Sequence, residues 1–285
     1  MDRLEPRRSR PAGGGIVAPR GRLNASRLER AGHEFADLAG RAILPYFRRR
    51  LNVDNKLGQA GFDPVTAADR AAERAMRQAI AEAFPDHGIV GEEYPERRSA
   101  GRYTWVLDPI DGTRAFITGN PLWGTLIGLL EDGQPILGFM DQPYTRERFW
   151  GSGGKAFFRD ATGGVKRLRT RACASLGEAS LGTTHPDLFA SRVDAAAFAR
   201  LTKKVQLTRY GGDCYGYCLV AAGHVDLVVE AGLKPHDIAA LIPIIEGAGG
   251  RVATWEGGPA MGGGRIIAAG DARVHAEAMA VLRGG

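Results

Sequence analysis

The segment of this sequence best suited to chemistry is a pair of aspartates at the end of an apolar run. Residues Tyr103 to Leu107 predict a strand, Asp108 ends it, and Asp111 follows three residues later, after a proline turn. Carboxylates in this position lie at the C-terminal edge of a sheet, where the active sites of layered α/β folds concentrate. Two acids and an exposed backbone carbonyl provide the oxygen ligands that Mg²⁺ takes. The segment therefore predicts a candidate magnesium site.

Two small residues extend this segment into a candidate phosphate site. Gly112 and Thr113 come directly after Asp111 and lead into a possible helix turn, so their N–H groups would face an anion. The alternative is an ordinary Asp-Pro turn in which Asp111 caps the helix. The spacing of these residues alone leaves both interpretations open.

Two further acids, Glu92 and Asp237, lie at the ends of predicted elements, as Asp108 does. Glu92 follows a short apolar strand, Gly88 to Gly91, and its alternative interpretation is a solvated loop. Asp237 precedes a segment that is apolar on nearly all faces, which predicts a buried helix. An acid at the start of such a helix is either a cap or a metal ligand, because the helix dipole favours both.

The elements that must position these acids differ between the two halves of the chain. In the first half, one helix is predicted from a capping box at Ser26 to Pro45, and a second begins near Thr66, with Asp69 completing another capping pair. Antiparallel strands that follow two helices predict an α+β arrangement. The strands predicted in this half are residues 88–91, 103–107, 123–130, 135–140 and 148–151.

The second half alternates strands with helices, which predicts βαβ units on a mostly parallel sheet. Strands are predicted at residues 205–209, 225–229, 251–254 and 266–269, and helices at 211–222, 237–248 and 272–283. Glycine-rich stretches indicate a boundary between the halves. We place the α+β metal-binding half at residues 26–160 and the α/β half, which completes the active site, at residues 161–285.

Composition and charge exclude several classes of protein. The 285 residues are 44% hydrophobic and 25% charged, as in a globular chain, and no apolar run reaches the roughly 18 residues that predict a membrane span. The net charge is +6, but residues 1–25 contain six arginines and two acids, so +4 of it belongs to that segment. We predict that residues 1–25 form a disordered basic tail and not a nucleic-acid-binding arm.

The cysteines indicate a compartment. Three cysteines without a Cys-x-x-Cys pair argue against a disulfide framework and against a cysteine zinc site. They fit a reducing environment, so we predict a cytoplasmic protein. The alternative from a different class is a nucleic-acid-binding protein that uses the tail with Trp105, Trp123 and Trp255, but these tryptophans do not form a stacking platform.

Four separated segments, taken in order, resemble the inositol monophosphatase superfamily. They are Asp63-Pro-Val-Thr-Ala-Ala-Asp69, Gly91-Glu-Glu93, Trp105-Val-Leu-Asp-Pro-Ile-Asp-Gly-Thr113 and His236-Asp237. Further residues resemble its histidinol-phosphate phosphatase branch, namely Arg114 and the segments 119–127, 211–217 and 234–241. The chain departs from this pattern at one position, since His236 stands where the resemblance leads us to expect an aromatic residue.

The resemblance implies a fold, a reaction and a set of metal ligands. The fold is a layered αβαβα sandwich, and the reaction is the Mg²⁺-dependent hydrolysis of phosphate monoesters. Glu92, Asp108 and the carbonyl of Ile110 would hold the first metal ion. Asp108, Asp111 and Asp237 would hold the second. Two or three Mg²⁺ ions, inhibition by Li⁺ and a homodimer are implied as well.

The resemblance also assigns the groups around the reacting phosphate. Glu92 and Thr113 would orient the attacking water, with Asp69 as a further catalytic residue, and Gly112 and Thr113 would bind the phosphate. Electrostatics agree with a metal site, because four clustered carboxylates repel one another strongly and divalent cations remove that repulsion.

The branch resemblance implies L-histidinol phosphate as the substrate, hydrolysed to L-histidinol and phosphate in histidine biosynthesis. That leaving group carries an ammonium and an imidazole, so acids should face it. Asp213 and Glu230 lie in the matching segments, and Arg114 is a third candidate substrate contact. The alternatives are a helix N-cap for Asp213 and a solvated strand end for Glu230. Inositol-1-phosphate and 3′-phosphoadenosine phosphate are the alternative substrates, because the metal core is common to all three activities.

Overall fold

The computed structural model describes residues 25–50, 53–55 and 64–284. The predicted basic tail, except for Ala25, and Asp63 lie outside this part of the chain. Within it, two large sheets alternate with layers of helices in the αβαβα sandwich that the resemblance implies. Three apolar cores among the described residues hold the layers together. No helix in the described ranges is long and apolar enough to cross a bilayer.

The first layer is a pair of helices, α1 (Ala25–Ile43) and α2 (Ala67–Ala83), which pack on each other and on the first sheet. α1 begins one residue before the predicted cap at Ser26 and ends two residues before Pro45. The end is expected, because a proline cannot donate the backbone hydrogen bond that would continue the helix.

The start of α2 confirms the predicted capping pair. The Thr66 hydroxyl accepts a hydrogen bond from the Ala68 N–H, and the Asp69 carboxylate accepts one from the Thr66 N–H at 2.8 Å. A two-stranded antiparallel sheet precedes this helix and consists of β1 (Val53–Asn55) and β2 (Pro64–Thr66). The chain therefore enters α2 directly from a strand.

The first large sheet has seven strands in chain order from β3 to β9. β3 and β4 pair in parallel, and the remaining neighbours pair antiparallel, which confirms the predicted hairpin and the strand added to it. The last two strands were not predicted. The strands are β3 (Gly88–Gly91), β4 (Tyr103–Asp111), β5 (Gly124–Glu131), β6 (Gln134–Gln142), β7 (Glu147–Ser152), β8 (Lys155–Arg159) and β9 (Val165–Arg167).

The second sheet has five strands in the order β11-β10-β12-β14-β13. The sequence predicts a mostly parallel sheet, but this sheet is mixed. β10 runs parallel to its neighbours β11 and β12, and β14 runs antiparallel to its neighbours β12 and β13. The reason is the connection over residues 255–263, which contains no crossover helix and therefore reverses the chain. The strands are β10 (Ser180–Thr183), β11 (Leu207–Tyr210), β12 (Leu227–Leu233), β13 (Arg251–Thr254) and β14 (Gly264–Ala269).

The remaining helices form the middle and outer layers. α5, α6 and α7 belong to the layer between the sheets, and α4 and α8 cover the far face of the second sheet. The single helix predicted over 237–248 is divided, because Pro243 has no N–H to donate to the carbonyl four residues earlier. The helices are α3 (Thr113–Ile117), α4 (Arg192–Thr202), α5 (Asp213–Ala221), α6 (Pro235–Ile238), α7 (Leu241–Gly247) and α8 (Ala272–Arg283).

A row of glycines lets α6 and α7 lie directly on the first sheet. Gly128, Gly138 and Gly151 are neighbours across β5, β6 and β7. A Cβ atom on Gly138 would lie 1.9 Å from the carbonyl oxygen of Ala240, and one on Gly151 would lie 2.1 Å from that of Pro243. Backbone therefore packs on backbone at this layer boundary, and the row sets how close the segment carrying Asp237 comes to the sheet.

We expect the substitution Gly138→Ala to destabilise the fold by roughly 1–3 kcal/mol, because the added methyl group overlaps the Ala240 carbonyl and the helix must move away. The free energy of unfolding measured in urea tests this. The matched control is Gly262→Ala, whose methyl group would meet no atom within 4 Å and which should change stability by less than about 0.5 kcal/mol. Equal stability of the two variants would contradict the proposed role of the glycine row.

Candidate active site

Three chain segments bring carboxylates to one edge of the first sheet. β3 and β4 pair in parallel, with Gly91 opposite Leu107, so the acids that come next, Glu92 and Asp108, lie at the same sheet edge. Asp237 comes from the second half of the chain in α6, which packs against β4. The site is therefore assembled from both halves.

A β-bulge places the two aspartates of β4 together. Residues three apart in a regular strand point to opposite faces of the sheet. Here Asp108 pairs with Leu126 and Asp111 pairs with Gly124, so β4 contains one residue more than β5 between these two pairs. The extra residue turns both carboxylates toward the same side of the strand.

The carboxylates form two overlapping groups. One potential ligand atom each from Asp108, Asp111 and Asp237 lies within 4.8 Å of the others. The same holds for Glu92, Asp108 and a ring nitrogen of His236. Asp108 belongs to both groups, which is the arrangement expected of a carboxylate shared by two metal ions.

The central carboxylate is deeply buried and incompletely paired. The Asp108 residue is only 2% exposed, and its Oδ1 atom has no hydrogen-bond partner among the described residues. Burial, followed by the charges of Glu92 and Asp111, raises the pKa of Asp108 well above its usual range. A buried oxygen of this kind needs a compensating positive charge, so the residues present fit a divalent cation.

Backbone N–H groups hold the other two aspartates in place. Asp111 accepts a hydrogen bond from the Cys214 N–H at 2.6 Å, and Asp237 accepts one from the Lys234 N–H at 2.7 Å. Each of these bonds occupies one oxygen of its carboxylate. Burial raises the pKa of both aspartates, and for Asp111 the charge of Asp213 adds to this effect.

The carboxylates line an open cleft of about 370 Å³ at the N-terminal end of α3. The Thr113 hydroxyl donates to the Ile110 carbonyl at 3.0 Å, and Gly112 has a φ of +82°, a conformation that favours glycine. The predicted site residues that line this cleft are Glu92, Asp108, Ile110, Asp111, Gly112, Thr113, Arg114, Asp213 and Asp237.

Of the three predicted catalytic residues, Asp69 is the one that does not line the cleft. Asp69 is 1% exposed, and its Oδ2 atom accepts hydrogen bonds from the Thr66 N–H and hydroxyl at 2.8 and 2.6 Å. Burial raises its pKa to about 6, and the charge of Glu92 contributes to that shift. Asp69 therefore caps α2 and lies close enough to the carboxylate cluster to interact with it electrostatically.

A smaller hollow of about 140 Å³ adjoins the cleft and contains the predicted substrate acids. Asp213 and Glu230 both line it, together with Asp111 and Asp237, so it is continuous with the carboxylate cluster. Glu230 is 5% exposed and lies within β12, so it is not a solvated strand end. Its carboxylate accepts hydrogen bonds from the Thr184 N–H at 2.7 Å and from the Tyr217 hydroxyl at 3.0 Å.

Asp213 occupies a strained position at the start of α5. Its φ of +43° is unusual for a residue other than glycine, and such strain concentrates at functional sites. The N-cap position belongs to Gly212, so Asp213 does not have the capping role that the sequence left open. Burial and the charge of Glu230 raise the pKa of Asp213 to about 7, while Arg114 lowers it.

Sequence reasoning missed several residues of the cleft. Thr184, Leu188 and Lys234 line it, and His236, which the sequence marks only as a departure from the family pattern, is part of the ligand cluster. Thr184 was missed because it follows β10, a strand of four residues whose sequence contains a glycine and little apolar alternation. Lys234 lies in a segment that carries the family resemblance, which was the signal available for finding it.

Comparisons with known proteins agree with this geometry. The profile of the inositol monophosphatase family matches residues 24–283. The chain is 43% identical over 267 residues to the chloroplastic bifunctional phosphatase IMPL2 of Arabidopsis thaliana, covering 90% of this chain and 75% of that protein. It is 38% identical over 218 residues to a histidinol-phosphatase of Chlorobaculum parvum, covering 76% of this chain and 82% of that one.

The solved structures lead to the same family. An inositol monophosphatase from Zymomonas mobilis superposes with a TM-score of 0.81 and 43% sequence identity, covering 92% of this chain and all of that one. The fold, the carboxylate cluster and these similarities show that the chain belongs to the inositol monophosphatase family and is a phosphatase of that family.

Proposed function

We propose that this phosphatase hydrolyses L-histidinol phosphate to L-histidinol and phosphate. The observation that carries the proposal is the acidic hollow beside the metal-ligand cluster, where Asp213 and Glu230 lie outside both groups of potential ligands. An ammonium or imidazolium group entering this hollow would find two carboxylates. The histidinol-phosphatase from Chlorobaculum parvum and its similarity to this chain support the same substrate.

Enzymes of this family depend on metal ions, generally Mg²⁺, and the cluster contains the oxygen ligands for them. In our proposal Glu92, Asp108 and the Ile110 carbonyl hold one ion, and Asp108, Asp111 and Asp237 hold another. When bound, such ions neutralise charge on the phosphoryl group and acidify the attacking water.

The remaining residues orient the reacting groups. Glu92 and Thr113 position the water, and the N–H groups of Gly112 and Thr113 face the phosphate from the start of α3. Asp69 does not line the cleft, and it acts on the carboxylate cluster through its electrostatic interaction with Glu92. Arg114 lines the cleft, and its charge lowers the pKa of Asp213, so we place it at the substrate as well.

Inositol-1-phosphate is the second candidate substrate. The observation that favours it is the similarity to the inositol monophosphatase from Zymomonas mobilis. Inositol carries no positive charge, so the acidic hollow would give it hydroxyl acceptors only. Phosphate release from histidinol phosphate, inositol-1-phosphate and 3′-phosphoadenosine phosphate, measured side by side, distinguishes the candidates.

We also propose that the protein is a homodimer in the cytoplasm. The three cysteines, Cys173, Cys214 and Cys218, are buried free thiols, which fits a reducing compartment. The similar IMPL2 protein is described as chloroplastic, so a location within an organelle is the alternative.

Replacing the shared carboxylate should abolish activity. We expect Asp108→Asn to lower kcat/KM at least about a thousandfold, or about 4 kcal/mol, because one charge common to both proposed metal sites is removed. Phosphate release at saturating Mg²⁺ measures the loss. The control is Asp132→Asn, a change in an exposed ion pair with Arg102 that should leave activity intact. More than a tenth of the original activity in Asp108→Asn would refute the metal assignment.

Lithium should compete for the proposed metal cluster. We expect inhibition by Li⁺ at submillimolar to millimolar concentration, and loss of activity after chelation that added Mg²⁺ restores. Initial rates across a Li⁺ series at fixed Mg²⁺ provide the measurement. Full activity in tens of millimolar Li⁺ would count against the proposed metal site.

The acidic hollow should favour substrates whose leaving group carries a positive charge. We expect Glu230→Gln to lower kcat/KM for histidinol phosphate roughly ten- to a hundredfold, since a hydrogen bond to a charged group contributes about 1.5–3 kcal/mol. An uncharged aryl phosphate should be spared, because its leaving group makes no such contact. The matched control is Glu246→Gln, which changes an exposed glutamate of α7 and should leave activity on both substrates intact.

The two substrates separate the possible roles of Glu230. Equal losses on histidinol phosphate and the aryl phosphate would mean that Glu230 supports the fold or the metal ligands. No loss on either substrate would remove Glu230 from the substrate site.

A further inference from the structure

One member of the ligand cluster is a nitrogen donor. His236 lies in the first turn of α6, directly before Asp237, and its side chain is only 12% exposed. A ring nitrogen of His236 lies within 4.8 Å of carboxylate oxygens of both Glu92 and Asp108. The second group, formed by Asp108, Asp111 and Asp237, contains carboxylates alone. The two groups therefore differ in chemistry.

The unpaired oxygen of Asp108 is a separate observation that favours a cation in the cluster to which His236 belongs. Asp108 Oδ1 is buried without a hydrogen-bond partner among the described residues, and Asp108 belongs to the same group as the imidazole. Two ligands that each bind one ion at about 2.1 Å lie at most about 4.2 Å apart. The observed separations therefore need only small side-chain rotations to close around an ion.

Local structure holds the imidazole at this place. Pro235 opens α6, the Lys234 N–H donates to the Asp237 carboxylate, and the Asp237 N–H donates to the Lys234 carbonyl at 3.1 Å. His236 lies inside this closed turn, so its backbone cannot rotate independently of Asp237. The Nε2 atom of His236 is 3.4 Å from Asp237 Oδ1, which keeps the ring at the edge of the cluster.

We propose that His236 is a nitrogen ligand of the divalent ion held by Glu92 and Asp108, and that this position accepts transition-metal ions more readily than Mg²⁺. Imidazole nitrogen favours ions such as Zn²⁺ and Co²⁺, whereas Mg²⁺ takes oxygen ligands. The all-carboxylate group remains suited to Mg²⁺. This inference rests on the metal-dependent function proposed above and adds a difference between its two metal positions.

Electron spin echo spectroscopy of bound Mn²⁺ tests the proposal on the full chain. We expect nuclear coupling from a directly bound imidazole nitrogen in the unaltered protein, loss of that coupling in His236→Phe, and its retention in His224→Phe. His224 is exposed, lines neither the cleft nor the adjoining hollow, and belongs to neither group of potential ligands, so it is the matched control. In His236→Phe, the Kd for Co²⁺ should rise at least about tenfold, and the Kd for Mg²⁺ should change less than about threefold.

The outcomes separate this inference from the proposed substrate. Mn²⁺ bound at saturation, with both positions occupied, but without nitrogen coupling in the unaltered protein would overturn the inference, and this result does not depend on whether any variant folds. Absence of Mn²⁺ binding would overturn both the inference and the proposed metal site. Nitrogen coupling in a protein that leaves histidinol phosphate intact would support the His236 ligand and overturn only the proposed substrate.

Discussion

The close packing of α6 and α7 on the first sheet is the constraint on which the site depends. Asp237 reaches the carboxylates of β4 only because the segment that carries it lies against backbone and not against side chains. Gly138 and Gly151 make this possible, since a methyl group on either would overlap a carbonyl oxygen of the segment. The same packing carries His236 to the cluster. The glycine row therefore serves chemistry as well as stability.

The electrostatics of the cluster explain why it suits a cation. Burial raises the pKa of Asp108, Asp111, Asp213 and Asp237, so without a metal the folded chain keeps protons that the unfolded chain releases above about pH 4. Stability from these groups is complete below that pH and is lost as the pH rises through the raised values, which is about 7 for Asp213. Divalent ions bound to Asp108, Asp111 and Asp237 would replace their protons at neutral pH, so metal binding would stabilise the folded chain.

The site also divides its acids between two tasks. Asp108 and Asp111 share one face because of the bulge in β4, and both belong to the potential metal ligands. Glu230 has its two oxygens fixed by Thr184 and Tyr217, which holds an acid at the wall of the hollow without making it a potential ligand. Carboxylates from the two sheets that meet at this site thus have different hydrogen-bond environments.

Much of this protein is determined by local sequence. The capping pair of Thr66 and Asp69, the hairpin that joins β5 and β6, and the acid-rich end of β4 follow from residue types and short spacings, because their hydrogen bonds are local. The family resemblance added the αβαβα sandwich and the membership of Asp237 in the site. Short strands such as β8, β9 and β10 were missed, because they contain few residues and little alternation.

Only the tertiary structure shows the features that depend on contacts between segments far apart in the sequence. It made the second sheet mixed and buried Glu230 in a hollow beside the cluster. It also gave Asp213 a strained backbone and placed the His236 imidazole beside Asp108. The burial of Glu230 and the position of His236 do not follow from local spacing, because both depend on how distant parts of the chain pack together. For His236, the glycines of β6 and β7 allow that packing.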